Sequence, residues 1–150
     1  MDTLRWLHLS DVHFSDGESY EIKRMRDSII DKMKEVFEKN KVDFVVLSGD
    51  LAYQGGGYDA NLKKFIESLV DVSGVSIDEL FIVPGNHDLK RTQMRSVLLN
   101  GMRTEQFKFE KETIEQLQKD FKKYMTFYNK VKGENSNYIY RLVKKEKYNI

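Results

Sequence analysis

The sequence predicts an α/β fold in which parallel strands alternate with helices. Two observations carry that prediction. Three short apolar runs recur along the first ninety positions, and between them lie longer segments whose apolar residues step by three and four. Leu4 to Leu9 reads as the first strand. Tyr20 to Lys39 follows, with Ile22, Met25, Ile29, Met33, Val36 and Phe37 on one helical face. Phe44 to Leu47 is a continuous apolar run, the pattern of a parallel strand buried on both faces. Asp59 to Val70 repeats the helical step at Leu62, Phe65, Ile66, Leu69 and Val70, and Asp59 suits the N-cap. Leu80 to Val83 is the third strand, stopped by Pro84. Strand, helix, strand, helix, strand argues for right-handed βαβ units.

The rest of the chain reads differently. Residues 91–103 are mixed and basic, a helix or a loop over the sheet edge. Residues 104–131 look helical, with Ile114, Leu117, Phe121, Tyr124, Met125 and Tyr128 on one stripe that packs against the domain or a partner. Residues 133–137 form a turn cluster. Tyr138 to Val143 alternates like an edge strand, and another apolar run begins at Tyr148. The expected division is a βαβαβ core over 1–90, a helical segment over 91–132, and a strand with the start of another over 133–150.

Composition bounds the chemistry. The 150 residues suffice for one domain with a real core. Lys+Arg number 25 and Asp+Glu 24, a net charge of +1 that lacks the footprint of an obligate nucleic-acid binder, though it leaves room for a local basic groove. The absence of cysteine excludes disulfides, thiolate zinc sites and iron–sulfur clusters. No apolar run approaches the ~20 residues of a membrane span, and the N-terminus is charged rather than leader-like. A cytoplasmic location is the expectation.

In parallel sheets, ligands gather beyond the carboxyl ends of the strands. The first predicted strand is followed by Ser10-Asp11-Val12-His13, the second by Ser48-Gly49-Asp50, the third by Pro84-Gly85-Asn86-His87-Asp88. Each end carries a metal-competent group. Asp11 and His13 are two apart, so an extended backbone would send both side chains to one side. Asp50 has two oxygens with which to bridge a pair of ions, and Asn86 offers an amide oxygen. Gly49 and Gly85 would let the chain turn sharply beneath them. A mixed Asp/His/Asn set suits two borderline divalent ions such as manganese, iron, zinc or nickel better than calcium. Taken singly, each residue also fits ordinary turn and cap chemistry.

Together, WLHLSDVHF, VVLSGDLAYQG and LFIVPGNHD resemble the first three motifs of calcineurin-like metallophosphoesterases, and are similar to the bacterial cyclic-nucleotide-phosphodiesterase and DNA-repair-exonuclease branches. The resemblance implies the N-terminal part of a four-layer α/β/β/α sandwich. It implies that Asp11 and His13 hold a first metal, that Asp50 bridges, and that Asn86 holds the second. It also implies that His87 assists the leaving group, with Asp88 behind it as an orienting residue. The family supplies further histidine ligands downstream, whereas the histidines here are His8, His13 and His87. The expectation is therefore a truncated hydrolase, weakly active as given, whose remaining ligands come from a missing C-terminal part or a partner chain. Its substrate would be a nucleotide, a cyclic nucleotide or a nucleic-acid end. The alternative is a non-catalytic scaffold or partner-binding module. His8 reads as a packed core histidine, and Arg91, Arg95 and Arg103 as a solvated basic face. Tyr53 and Gly55 to Gly57 read as a connection that could also line the cleft.

Overall fold

The computed structural model describes residues 3–15, 17, 19–106, 108 and 110–134. Among them, β1 (Trp6–Leu9), β2 (Phe44–Ser48) and β3 (Leu80–Val83) form one parallel sheet in the order β1-β2-β3. The register pairs Leu7 with Val45 and Val45 with Leu80. Helices α1 (Tyr20–Phe37) and α2 (Ala60–Ser73) make the crossovers and pack on each other. The α/β class with parallel strands is as expected. The predicted edge strand at 138–143 and the apolar run at Tyr148 lie outside the described residues.

Each helix starts where side-chain chemistry allows. Ser19 caps α1 by accepting the Ile22 N–H, and Asp59 caps α2 by accepting the N–H groups of Asn61 and Leu62. Gly74, with φ +68°, closes α2.

The core lies on one face of the sheet. Val45, Leu47, Leu80 and Ile82 pack against Leu62, Phe65, Ile66 and Leu69 of α2, and against Tyr124, Phe127 and Tyr128 further on. The alternate strand positions do not repeat that burial, so the expectation that β2 is covered on both faces is corrected. Trp6 stacks on Phe44, and Phe44 meets Phe81 edge-on, as an aromatic row on the open face. His8 shares that face: it is exposed and hydrogen-bonded to Ser48 across the strands, not packed in the core.

Residues 91–132 hold several helical pieces, and the helix expected over 104–131 begins only at Lys111. The chain forms α3 (Gln93–Arg103) and α4 (Lys111–Gln118), passes through a 3-10 turn at Lys119–Phe121, and continues as α5 (Lys122–Lys132). Arg95 does not belong to a solvated face. Its guanidinium donates to the Leu117 carbonyl, pairs with Asp120 at 3.5 Å and lies over the Phe121 ring, tying α3 to α4. Helix α5 guards the β3 edge that faces away from β2. Tyr124 Oη donates to the Ile82 carbonyl, and the buried Lys132 ammonium donates to the carbonyls of Leu80 and Ile77. Side-chain donors thus satisfy carbonyls that a neighbouring strand would otherwise take.

Candidate metal centre

The three strand ends are laced together beyond the sheet. Asp11 N–H donates to Gly49 O, His13 N–H to Asp50 O and Phe14 N–H to Leu51 O, while Gly49 N–H donates to Val83 O. This ladder brings the predicted residues to one rim. Asp11, His13 and Asp50 each offer a ligand atom, and these atoms all lie within 4.8 Å of one another. His13 Nε2 stands 3.7 Å from Asp11 Oδ1. His87 N–H donates to Asp50 Oδ1 at 2.7 Å, which sets the Asn86-His87 segment against the bridging candidate. Asn86 itself is exposed beside that bond.

The backbone reaches this arrangement differently from the expectation. Asp11, His13 and Asp50 have φ of 57°, 51° and 52°. The DxH segment is therefore left-handed at both residues, not extended, and its side chains meet because of that curl. Such conformations are costly for residues with a Cβ and concentrate at functional sites. Gly49 turns as predicted, at φ +87°. Gly85 serves a different end, since a Cβ there would collide with the Asp50 carboxylate and amide nitrogen. Its contribution is space.

Asp88 is the hub behind the rim. With 1% of its surface exposed, it accepts the N–H groups of Leu51, Ala52 and Gly85 and the Tyr58 hydroxyl at 2.7 Å. It thereby clamps the loop after β2 to the loop after β3. Burial first, and then the adjacent Asp88 charge, push the Tyr58 phenol well above its usual range.

Of the two supporting residues, Tyr53 was readable in the sequence as a residue that could line the cleft, whereas Arg26 was not. Arg26 of α1 is buried, lies over the Phe14 ring at 3.4 Å, and donates to the carbonyls of Val12 and His13. Its signal was a cation four residues from Ile22 and from Ile30, on the helix stripe itself. Tyr53 stacks on His87 at 5.2 Å and 15°, and His13 meets His87 edge-on at 5.1 Å, so the three rings line one side of the rim.

The donor set fits divalent cations. Oxygen and imidazole ligands bind at about 2.0–2.2 Å, so two donors on one ion stand at most about 4.4 Å apart. The 4.8 Å spread is within half an ångström of that limit. Nδ1 of both His13 and His87 is buried without a hydrogen-bond partner among the described residues. Two carboxylates this close, beside imidazoles lacking partners, form a site suited to positive charge.

The sequence model of the calcineurin-like phosphoesterases matches residues 4–149. The chain belongs to that family. This calcineurin-like phosphoesterase is also 31% identical over 99 residues to the uncharacterized metallophosphoesterase-like protein YydB of Bacillus subtilis (strain 168). The match takes in 66% of this chain and 20% of that protein, so the chain spans about a fifth of the relative's length. Among the described residues, no helix is long and apolar enough to cross a membrane.

Proposed function

We propose that this calcineurin-like phosphoesterase forms part of the active centre of a divalent-metal-dependent phosphoester hydrolase that cleaves phosphodiesters or monoesters. The convergence of Asp11, His13 and Asp50 supports the reading most directly. Asp11 and His13 would hold one ion, Asp50 would bridge to a second, and Asn86 would contribute its amide oxygen there. Ions so placed supply charge neutralisation for phosphoryl oxygens and a lowered pKa for water at neutral pH.

The chain's own residues then divide the work. Asp50 keeps one oxygen on the His87 N–H, which holds the loop carrying Asn86 at a fixed depth. His87, its ring set between His13 and Tyr53, would deliver a proton to the departing oxygen. Asp88 touches no substrate; it holds both loops in register. Tyr53, half-exposed beside His87, offers an aromatic wall to the leaving group. Further ligands would come from the rest of a longer protein or from a partner chain. A scaffold without catalysis leaves the convergence of three donors without a purpose.

Manganese titration followed by calorimetry and by thermal unfolding tests this reading. Saturable binding of one or two ions and a higher Tm that EDTA reverses are expected, since a ligand at a hundred times its Kd adds about 2.7 kcal/mol. Asp50→Asn should weaken binding by at least about tenfold. Metal-dependent hydrolysis of bis(4-nitrophenyl) phosphate or 4-nitrophenyl phosphate would follow. An intact circular-dichroism spectrum with no binding at millimolar manganese would overturn it.

A further inference from the structure

Next to the metal centre an open groove of about 500 Å3 runs between Gly55 to Gly57, the first turn of α2, and α5. Lys63, Lys122, Lys123 and Lys130 line it against a single carboxylate, Asp59. Asp59 is occupied capping α2, and Lys63 pairs with Glu67 at 3.0 Å. Lys122, Lys123 and Lys130 have no ion-pair partner among the described residues, and α5 carries no acidic residue to balance them. Lys122 and Lys123 stand in the first turn of α5, where the helix dipole does not favour cations. In a chain of net charge +1, this clustering is local.

From Lys122 to Lys130 the helix rises roughly 12 Å. One phosphate cannot engage that length, whereas a chain of them can. The groove also shares a wall with the metal centre. Gly55 N–H donates to the His87 carbonyl at 2.8 Å, and Tyr53, two residues earlier, is the ring stacked on His87. Two residues reach at most about 7 Å.

We propose that this groove binds the additional phosphates of a multiply phosphorylated substrate, an oligonucleotide or a polyphosphate chain, whose reacting phosphate lies at the metal centre. The assignment rests on the hydrolase reading above. Lysines placed along a helix act as point charges on successive phosphates, so affinity should fall steeply with salt.

Fluorescence anisotropy with a labelled thymidine octanucleotide, in EDTA so that bound metal contributes nothing, tests the groove. Saturable binding at low salt is expected. Replacing Lys122, Lys123 and Lys130 together by alanine should weaken it at least about tenfold and flatten the log–log salt slope by about 2, near 0.7 per lost phosphate contact. The corresponding triple arginine variant should retain binding, which separates charge from folding. Competition by inorganic tripolyphosphate would assign the groove to the phosphate chain itself; octanucleotide binding without such competition would assign it to nucleotides. Absence of binding by either probe, or affinity indifferent to the alanine substitutions, would overturn the groove while leaving manganese binding intact. Lysine-dependent binding in a protein that takes up no manganese would instead overturn the substrate assignment.

Discussion

Asp88 shows how one side chain holds the rim together. Its carboxylate accepts three backbone N–H groups and one phenol while almost wholly removed from water. Charge-assisted bonds of this kind contribute more than neutral ones, and breaking them strands buried donors. Asp88→Asn, equal in size, would turn an amide NH2 toward groups that are themselves donors. We expect a loss of about 3 kcal/mol in urea unfolding, with Tyr58→Phe costing about 1 kcal/mol because it removes one donor and leaves the carboxylate its backbone partners. Equal losses from the two substitutions would count against the hub. In the sequence Asp88 was legible only as a neighbour of His87. Its partners Leu51 and Ala52 lie 37 and 36 residues away, and no local pattern announces such a distance.

At the level of elements, α1 and α5 each insert a cation where an apolar residue would be expected. Periodicity placed Met25 on the buried face of α1, yet Met25 is 56% exposed and Arg26 is 4% exposed. The helix is rotated so that Arg26, Ile30 and Met33 face inward, because the guanidinium gains two carbonyls and the Phe14 ring in return for its desolvation. Arg26 thereby secures the curled segment around His13. Arg26→Met should leave the helical content unchanged yet weaken manganese binding by about tenfold, the usual scale for a residue that orients a ligand. Arg26→Lys should restore part of it, and calorimetry on both variants checks the expectation. Full affinity in Arg26→Met would remove Arg26 from the centre's support. On the other side, Lys132 and Tyr124 act on the carbonyls of β3. The aromatic stripe at 104–131 was readable, but its break into α4, a 3-10 turn and α5 was not. No proline or glycine marks that break, which lies beside the Arg95–Asp120 contact.

Across the whole molecule, the buried Tyr124 phenol and the half-buried Tyr58 phenol predict an alkaline limit to stability. Tyr58 and Tyr124 are both raised above the ordinary value of 10.0, Tyr58 by burial and then by Asp88, Tyr124 by burial and then by Tyr128. Their folded forms keep protons that the unfolded chain releases above pH 10, so the unfolded state binds fewer protons there. Their contribution to stability is therefore full below about pH 10 and falls above it by up to about 1.4 kcal/mol per pH unit for each phenol. Urea unfolding between pH 8 and pH 11 should show this decline, and Tyr124→Phe should make it shallower. A flat profile would show that these phenols ionise as freely in the folded protein as in water.

The sequence by itself determined the parallel α/β alternation, the cap at Asp59, and the grouping of chemistry just after each strand. Those features depend on hydrophobic periodicity and local backbone preference, which neighbouring residues specify between them. Tertiary structure alone decided which side of the sheet is covered, the left-handed curl at Asp11 and His13, the clamp at Asp88, and the meeting of α5 lysines with the Gly55 loop. Each of these depends on contacts between segments dozens of residues apart, where packing and the pairing of buried polar groups override local preference.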